Sequence, residues 1–442
     1  QADVDHAVQA ARRSFESGVW SRMAPAERKK ILHRIADRIE AHHAELAVLG
    51  VRDNGTEIAM AWKAEPGSAA GTFRYYAECV DKVNGEIAPT PEGTLGLIHK
   101  EAVGVVGAIV PWNFPLMIGA WKIAPALAAG NCVVAKPSEF TPVTAAMLGE
   151  ICTAAGLPNG VLNIVHGLGG LVGQAIVEHP SIKAISFTGG TATGKHIASV
   201  AGPMFKKVSL ELGGKNPNII FADADLDKAI KTTVNSSFMN QGEICLCGSR
   251  VFVERSVYDH VKHALVQAVS EMKVGDPLDP NTRVGAIVSK PHYEKVLGYI
   301  TLAKEEGASV LCGGMALHPE GLEEGYYIAP TILEGLSASA RCNMEEIFGP
   351  VISIMPFDTE EEVLAMANAT DYGLAATVWT EHLTRAHRVA GQLQMGIVWV
   401  NCWLLRDLRT PFGGVKSSGV GREGGWEAMR FFTEPKNVCI AL

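Results

Sequence analysis

The chain lacks any uninterrupted run of about eighteen apolar residues, the length a membrane-spanning helix needs. Its most apolar stretch, residues 103–125, is broken by Pro111, Asn113, Pro115 and Lys122. No long basic run occurs and the formal net charge is −8, which argues against nucleic acid as the main partner. Cysteine is sparse. Nine in 442 residues is an odd number and too thin for a disulfide scaffold. No pair of Cys-x-x-Cys motifs offers a zinc site, Cys245-x-Cys247 is too tight for one, and the histidines are scattered without ligand spacing, so no metal is expected. There is no visible secretory leader, internal repeat or low-complexity tract.

What is present reads as an ordinary globular protein, with 47% hydrophobic and 19% charged residues. Its 442 residues are too many for one core, so two or three domains are expected. Residues 2–43 carry apolar residues at helical spacing, and Pro25 reads as a helix start. Short apolar runs at 104–111, 131–137, 161–165 and 184–187 read as strands, separated by helical stretches at 121–130, 142–155 and 171–179. That alternation predicts a parallel sheet with helices on both faces. A second α/β unit is expected from about Asn216, with strands at 219–221, 249–253, 351–355 and 396–400 and helices at 227–238 and 258–272.

Two segments carry the chemistry. In Phe238-Met239-Asn240-Gln241-Gly242-Glu243-Ile244-Cys245 a cysteine follows a turn signal and has small and polar neighbours, poor company for core filler. The thiolate is the reactive form, so such a cysteine is a candidate nucleophile. In Leu210-Glu211-Leu212-Gly213-Gly214-Lys215 a carboxylate lies between leucines, an environment that raises its pKa towards the range of a general base. Cys247 reads as a neighbouring small residue rather than a second nucleophile. A third segment, Phe187-Thr188-Gly189-Gly190-Thr191, follows a strand and opens a helix, as an anion-binding turn does. The looser run from Gly167 through Gly169 to Gly173 reads either as a tight turn or as a second cofactor contact.

Together these motifs, in order from about residue 1 to 442, resemble the aldehyde dehydrogenase superfamily. Its patterns are Glu-Leu-Gly-Gly-Lys followed by Phe-x-Asn-Gln-Gly-Gln-x-Cys. The resemblance implies a Rossmann-like NAD-binding domain (residues 1–83 and 101–213), an α/β catalytic domain (214–430), and strands for oligomerisation (84–100 and 431–442), giving a homodimer or homotetramer. It implies Cys245 as nucleophile, Glu211 as base, and Asn113 with the Cys245 N–H as oxyanion donors. The alternative for Asn113, between two prolines, is a plain turn residue. Gly213 and Gly214 would give Glu211 room to swing; the other reading is a strand-ending turn. Glu243 departs from the pattern and is expected to add negative charge near the thiol.

For the cofactor, NAD, the resemblance implies contacts from Pro111, Trp112, Lys136, Ser138, Glu139, Gly169, Phe187, Thr188, Gly189, Gly190, Leu212, Glu346 and Phe348. Lys136 would bond ribose hydroxyls, Glu139 would disfavour a 2′-phosphate, and Glu346 would hold the nicotinamide ribose. As bare residues, Lys136 and Glu139 read equally as a solvated pair and Phe348 as core packing. The opening resembles an internal helix of the family, so a segment before Gln1 is expected; free thiol chemistry suits a reducing, cytoplasmic setting.

The substrate segment is Trp403-Leu404-Leu405-Arg406-Asp407-Leu408-Arg409-Thr410-Pro411-Phe412. It resembles the branch that oxidises 2-hydroxy- or 2-aminomuconate semialdehyde. The resemblance implies Phe114, Arg406, Arg409 and Phe412 around a small-molecule aldehyde, with Arg406 gripping a distal carboxylate through its planar fork. The alternative is a structural salt bridge of Arg406 or Arg409 with Asp407. That branch carries a second arginine in an Ile-Pro-Arg segment, where the stretch from Ala64 to Arg74 has no arginine at the matching place. Residues 60–110 look more like dehydrogenases of aminoaldehydes such as γ-glutamyl-aminobutyraldehyde, so the alternative is an aminoaldehyde (of that or the betaine-aldehyde type) or broad aliphatic aldehyde dehydrogenase. Two further readings are a CoA-acylating enzyme, against which Glu211 argues, and a non-catalytic NAD-binding structural protein, against which the joint presence of Cys245 and Glu211 argues.

Overall fold

Proline in the first turn starts the helix Pro25–Ala41, and Ile31, Leu32, Ile35, Ala36 and Ile39 recur at the spacing that puts them on one buried face. The computed structural model describes residues 1–442. Strands Val105–Ile109 and Cys132–Lys136 are buried at every position, as parallel strands covered on both faces must be.

The first sheet has six strands in the order Gly419–Val420, Lys207–Glu211, Ile182–Thr188, Val105–Ile109, Cys132–Lys136, Leu162–Ile164. All neighbours are parallel except the first pair. From Val105–Ile109 the chain works outward to Leu162–Ile164, then returns to the opposite side for Ile182–Thr188. That reversal opens a crevice at the carboxyl ends of the strands, the place where open α/β sheets bind ligands. The four strands read from sequence are all present; Lys207–Glu211 was not read as one because its buried end is a glutamate. The helix expected at 121–130 begins earlier, as Pro115–Ala128, because proline fits its first turn. The stretch expected as one helix at 171–179 is a π-turn, Gly169–Gly173, followed by Gln174–Glu178.

The second sheet runs Ser309–Cys312, Thr331–Glu334, Val351–Phe357, Arg250–Glu254, Pro217–Ile220, Ala375–Trp379, Ile397–Val400, parallel apart from the first strand at its edge. A third sheet pairs Thr94–Ala102 with Thr433–Ala441 over nine antiparallel register pairs and adds Glu86–Ala88. No helix is long and apolar enough to cross a membrane.

One boundary differs from expectation. The segment after residue 412, assigned from sequence to the catalytic unit through residue 430, returns to the first sheet. Gly419 pairs with Glu211 and Val420 with Leu210, while Ala428, Met429 and Phe432 join the core that begins at Val4. Gly419 has φ 145°, and a Cβ there would collide with the Leu210 carbonyl, so only glycine permits this approach.

Candidate active site

Glu211 ends its strand facing the crevice. It is buried, and its Oε1 has no hydrogen-bond partner. Burial, and then the nearby Glu423, push its pKa up to about 8, against the pull of Lys122. Behind it Lys122 and Glu423 form a buried ion pair. A carboxylic acid that titrates near neutrality without a partner is poised to take a proton rather than to hold structure.

Cys245 is half-buried and lines the same crevice. Burial, with Glu211 beside it, drives its thiol well above the usual cysteine range. The resting nucleophile is therefore a neutral thiol next to its base. The loop that delivers it is unusual. Asn240 and Gln241 both have left-handed backbones, φ 51° and 44°. Such residues store about 1–3 kcal/mol of strain each, and persist only where surrounding structure over-determines them. Asn216 clamps the other side, its Nδ2 donating to the carbonyls of Cys245 (2.7 Å) and Cys247 (2.9 Å).

Asn113 is buried one turn before the helix Pro115–Ala128. Its Nδ2 donates to the Glu243 carbonyl at 2.9 Å, and its own carbonyl accepts from Asn54 and Asn240, each at 3.2 Å. The amide thus lies beside Cys245 with one N–H left to point at a developing oxyanion. Asn113→Ala should lower kcat by about 10²-fold with little change in KM, read from steady-state kinetics.

Gly213 and Gly214 have a role that the sequence did not suggest. A Cβ on Gly213 would strike the Glu346 carboxylate, and one on Gly214 would meet the Cys245 carbonyl at 2.9 Å. Gly214 N–H donates to Glu346 at 2.9 Å. These glycines permit close approach of Glu346 and of the nucleophile's backbone. Glu243 is likewise corrected: its side chain turns away from the thiol, accepting from Gln241 (3.1 Å) and Val288 (3.4 Å), and burial keeps its pKa well above the usual carboxylate range. It adds no charge at Cys245.

The crevice is a groove of about 190 Å³ that brings together Pro111, Trp112, Asn113, Thr188, Gly189, Gly190, Glu211, Leu212, Cys245, Glu346 and Phe348. Gly190 opens onto free space and leads into the eleven-residue helix Thr191–Ala201, which has no side-chain cap. Its bare N–H groups suit a pyrophosphate. Thr188 Oγ1 is buried without a partner beside it. Trp112 and Phe348 meet edge-to-face at 5.3 Å and cluster with His292, whose Nε2 lies 2.6 Å from the Phe348 carbonyl. Phe348 has φ 61°. Of the other residues expected to meet the cofactor, Phe187 packs beneath Gly189. Lys136 lies at the end of the next strand, paired with Glu139 at 3.0 Å, and Glu139 also accepts from Gly169 N–H at 3.4 Å. Ser138 is buried between them and accepts from Phe140 N–H at 3.3 Å. These five lie outside the groove itself. His292 and Lys295, which line it, had no sequence signal beyond isolated charge.

On the other side of Cys245 and Glu211 lies a funnel of about 530 Å³, walled by Phe114, Met117, Trp121, Trp403 and Phe412. Arg406 lies within it, its guanidinium carbon 3.4 Å from the Trp121 ring centre and 4.6 Å from that of Phe412. No acidic side chain pairs with it; burial lowers its pKa to about 10, which leaves it charged. Arg409 is not in the funnel. It is exposed, and a two-residue turn closes its guanidinium on Asp407 at 2.5 Å. The salt bridge considered for this segment belongs to Arg409 and frees Arg406.

The family model "Aldehyde dehydrogenase family" matches residues 1–438. The chain belongs to the aldehyde dehydrogenase family. The resemblance carried by the Glu211 and Cys245 motifs is thereby confirmed over nearly the whole chain. Among curated relatives, a 2-aminomuconic semialdehyde dehydrogenase of Danio rerio is 50% identical over 443 residues, covering 99% of this chain and 90% of the relative. A 2-hydroxymuconic semialdehyde dehydrogenase of Pseudomonas sp. (strain CF600) is 47% identical over 448 residues, covering 100% of this chain and 92% of the relative. An indole-3-acetaldehyde dehydrogenase solved with NAD+ superposes at TM-score 0.97 with 44% identity, over 100% of this chain and 89% of that one.

Proposed function

We propose that this aldehyde dehydrogenase uses NAD to oxidise an aldehyde bearing a distal carboxylate, of the 2-hydroxy- or 2-aminomuconate semialdehyde kind, to the acid. The observation that carries the substrate class is Arg406: a half-buried cation without an acidic partner, in a funnel that ends on Cys245 and Glu211. A desolvated, unpaired guanidinium is the natural receptor for a planar carboxylate. The muconic relatives in two distant organisms agree with that reading. Lys63, at the same funnel, also has no acidic partner, whereas the half-exposed Arg74 is engaged by Asp37 and Glu40.

The groove fits the dinucleotide. Gly189, Gly190 and the uncapped helix behind them would hold the pyrophosphate, Lys136 and Glu139 the adenosine ribose, and Glu346 with Trp112 and Phe348 the nicotinamide end. When bound, NAD supplies the hydride acceptor. The chain does the rest. Cys245 Sγ gives up its proton to Glu211 and adds to the carbonyl carbon to give a thiohemiacetal, whose oxyanion Asn113 and the Cys245 N–H stabilise. Oxidation leaves a thioester on Cys245. Glu211, its first proton passed to solvent, then takes a proton from water; the resulting attack releases the acid, and the departing sulfur recovers that proton as the thiol. A buried base suits transfer to water rather than to CoA. We further propose that the third sheet pairs subunits into a dimer or tetramer, and that nine free thiols belong in the cytoplasm.

The test is NADH formation with 2-hydroxymuconate semialdehyde against a neutral aldehyde and an ω-aminoaldehyde. Arg406→Ala should raise KM for the muconic substrate about 10–100-fold, as expected for loss of a charge-assisted hydrogen-bond pair, and leave the neutral aldehyde unaffected. Preference for the aminoaldehyde, untouched by the substitution, would overturn the carboxylate assignment.

A further inference from the structure

The strained loop before Cys245 is braced by a segment that no motif marked. Asn54-Gly55-Thr56-Glu57 links the helices His43–Asn54 and Ile58–Cys79, far from Cys245 in sequence. Asn54, Thr56 and Glu57 are all buried polar residues. The linker is itself pinned: Ile58 N–H donates to the Pro277 carbonyl at 2.8 Å, and Ala286 N–H to that of Gly55 at 3.0 Å.

From there three side chains reach the reacting centre. Glu57 Oε1 accepts from the backbone N–H of Asn240 at 3.2 Å. The Thr56 hydroxyl donates to Asn240 Oδ1. Asn54 accepts from Thr56 N–H at 3.0 Å through Oδ1 and donates through Nδ2 to the Asn113 carbonyl at 3.2 Å. Asn240, fixed in this way, donates to both the Asn113 carbonyl and, at 3.4 Å, the Glu243 carbonyl. That same Glu243 carbonyl receives the Asn113 amide. One left-handed asparagine thus ties the oxyanion donor to the nucleophile loop, and Glu57 holds the backbone of that asparagine.

We propose that Glu57 is a positioning residue for the reaction: through Asn240 it holds the left-handed turn that sets Asn113 and Cys245 relative to each other. The proposal rests on the roles given above to Asn113 and Cys245. Glu57 touches neither substrate funnel nor cofactor groove. It lines instead a neighbouring cavity of about 680 Å³, which shares Met60, Lys63, Asn235 and Met239 with the funnel. Its second oxygen, Oε2, has no partner. What the turn requires from it is one acceptor atom rather than a charge. Burial raises its pKa to about 7, and either protonation state retains an oxygen for the Asn240 N–H. Glutamine keeps that oxygen; leucine does not.

The experiment compares Glu57→Gln, Glu57→Leu and Thr56→Val with the wild type by three readouts: steady-state kcat and KM, the thermal midpoint, and the rate at which iodoacetamide alkylates Cys245 in the absence of substrate. Misplacement of reacting groups by about 1 Å lowers rates on the order of 10²-fold, so Glu57→Leu should lose about 10–100-fold in kcat with KM nearly unchanged. Its Cys245 alkylation rate should change in parallel, and Glu57→Gln should restore both. Should Glu57→Leu fail to fold, Thr56→Val, which removes a single hydroxyl contact, is expected to give a smaller loss in both readouts. A Glu57→Leu protein with a lowered thermal midpoint but normal kcat and alkylation would overturn the proposal, as would Glu57→Gln as impaired as Glu57→Leu. Alkylation does not depend on the oxidation reaction. A wild type that forms no NADH would therefore defeat the functional reading while the alkylation rates still decide the role of Glu57.

Discussion

Cys245→Ala should abolish acid formation, with turnover falling by on the order of 10⁴-fold or more, while NAD binding, followed by fluorescence titration, is unchanged. The thiol is the only side-chain group of this residue that the chemistry needs, and alanine keeps the backbone N–H that faces the oxyanion. The loop conformation is held by contacts to the backbone of residues 240–247 and to the side chain of Asn240, so alanine leaves it intact. The other nearby thiol cannot substitute: Cys247 is buried, its Sγ donates to the Gly242 carbonyl at 3.5 Å, and burial raises its pKa to about 12. Retention of more than a few per cent of wild-type turnover in the purified variant would place the nucleophile elsewhere.

Glu211→Gln should separate the two halves of the reaction. Acylation loses the acceptor for the thiol proton and slows, yet still delivers about one NADH per site, and hydrolysis then slows further, by about 10²–10⁴-fold, the contribution expected of a positioned general base. Stopped-flow absorbance would show a burst followed by a nearly flat phase. The pH dependence has a definite sign. Because burial raises the Glu211 pKa to about 8, the carboxyl is protonated and idle at lower pH, and activity climbs as pH rises through that value. Glutamine cannot titrate, so the variant should lose that limb. Wild-type steady turnover in Glu211→Gln, with the limb preserved, would show that another group is the base.

Much of this site was legible because its chemistry sits in short segments. Cys245 follows Asn-Gln-Gly, Glu211 precedes Gly-Gly-Lys, and both glycine-rich turns fall where a strand gives way to a loop or helix. The strands of the first sheet were legible for the same local reason: each is a continuous apolar run. The misreadings concern direction. Sequence placed Glu243 next to the thiol but could not show that its side chain turns towards Gln241 and Val288. It singled out Arg406 for a carboxylate but left open whether Arg406 or Arg409 pairs with Asp407, and only the turn at Asp407 distinguishes the one that is neutralised at the surface from the one left bare in the funnel. Glu57 and Asn54 had no local signal at all. Their significance lies in contacts with residues 183 and 59 positions away, which spacing cannot express.

The return of residues 419–432 to the first sheet bears on how the protein is made. The strand that ends in Glu211 has Gly419–Val420 as its neighbour on one side, and the first core is closed by Ala428, Met429 and Phe432. A ribosome releases the amino-terminal portion first, and domains ordinarily fold in that order. Here the unit that emerges earlier cannot finish packing until residues 419–432 have been synthesised. The general base thus acquires its final surroundings about two hundred residues after it leaves the ribosome, and a chain cut short before residue 419 leaves the edge of that strand open.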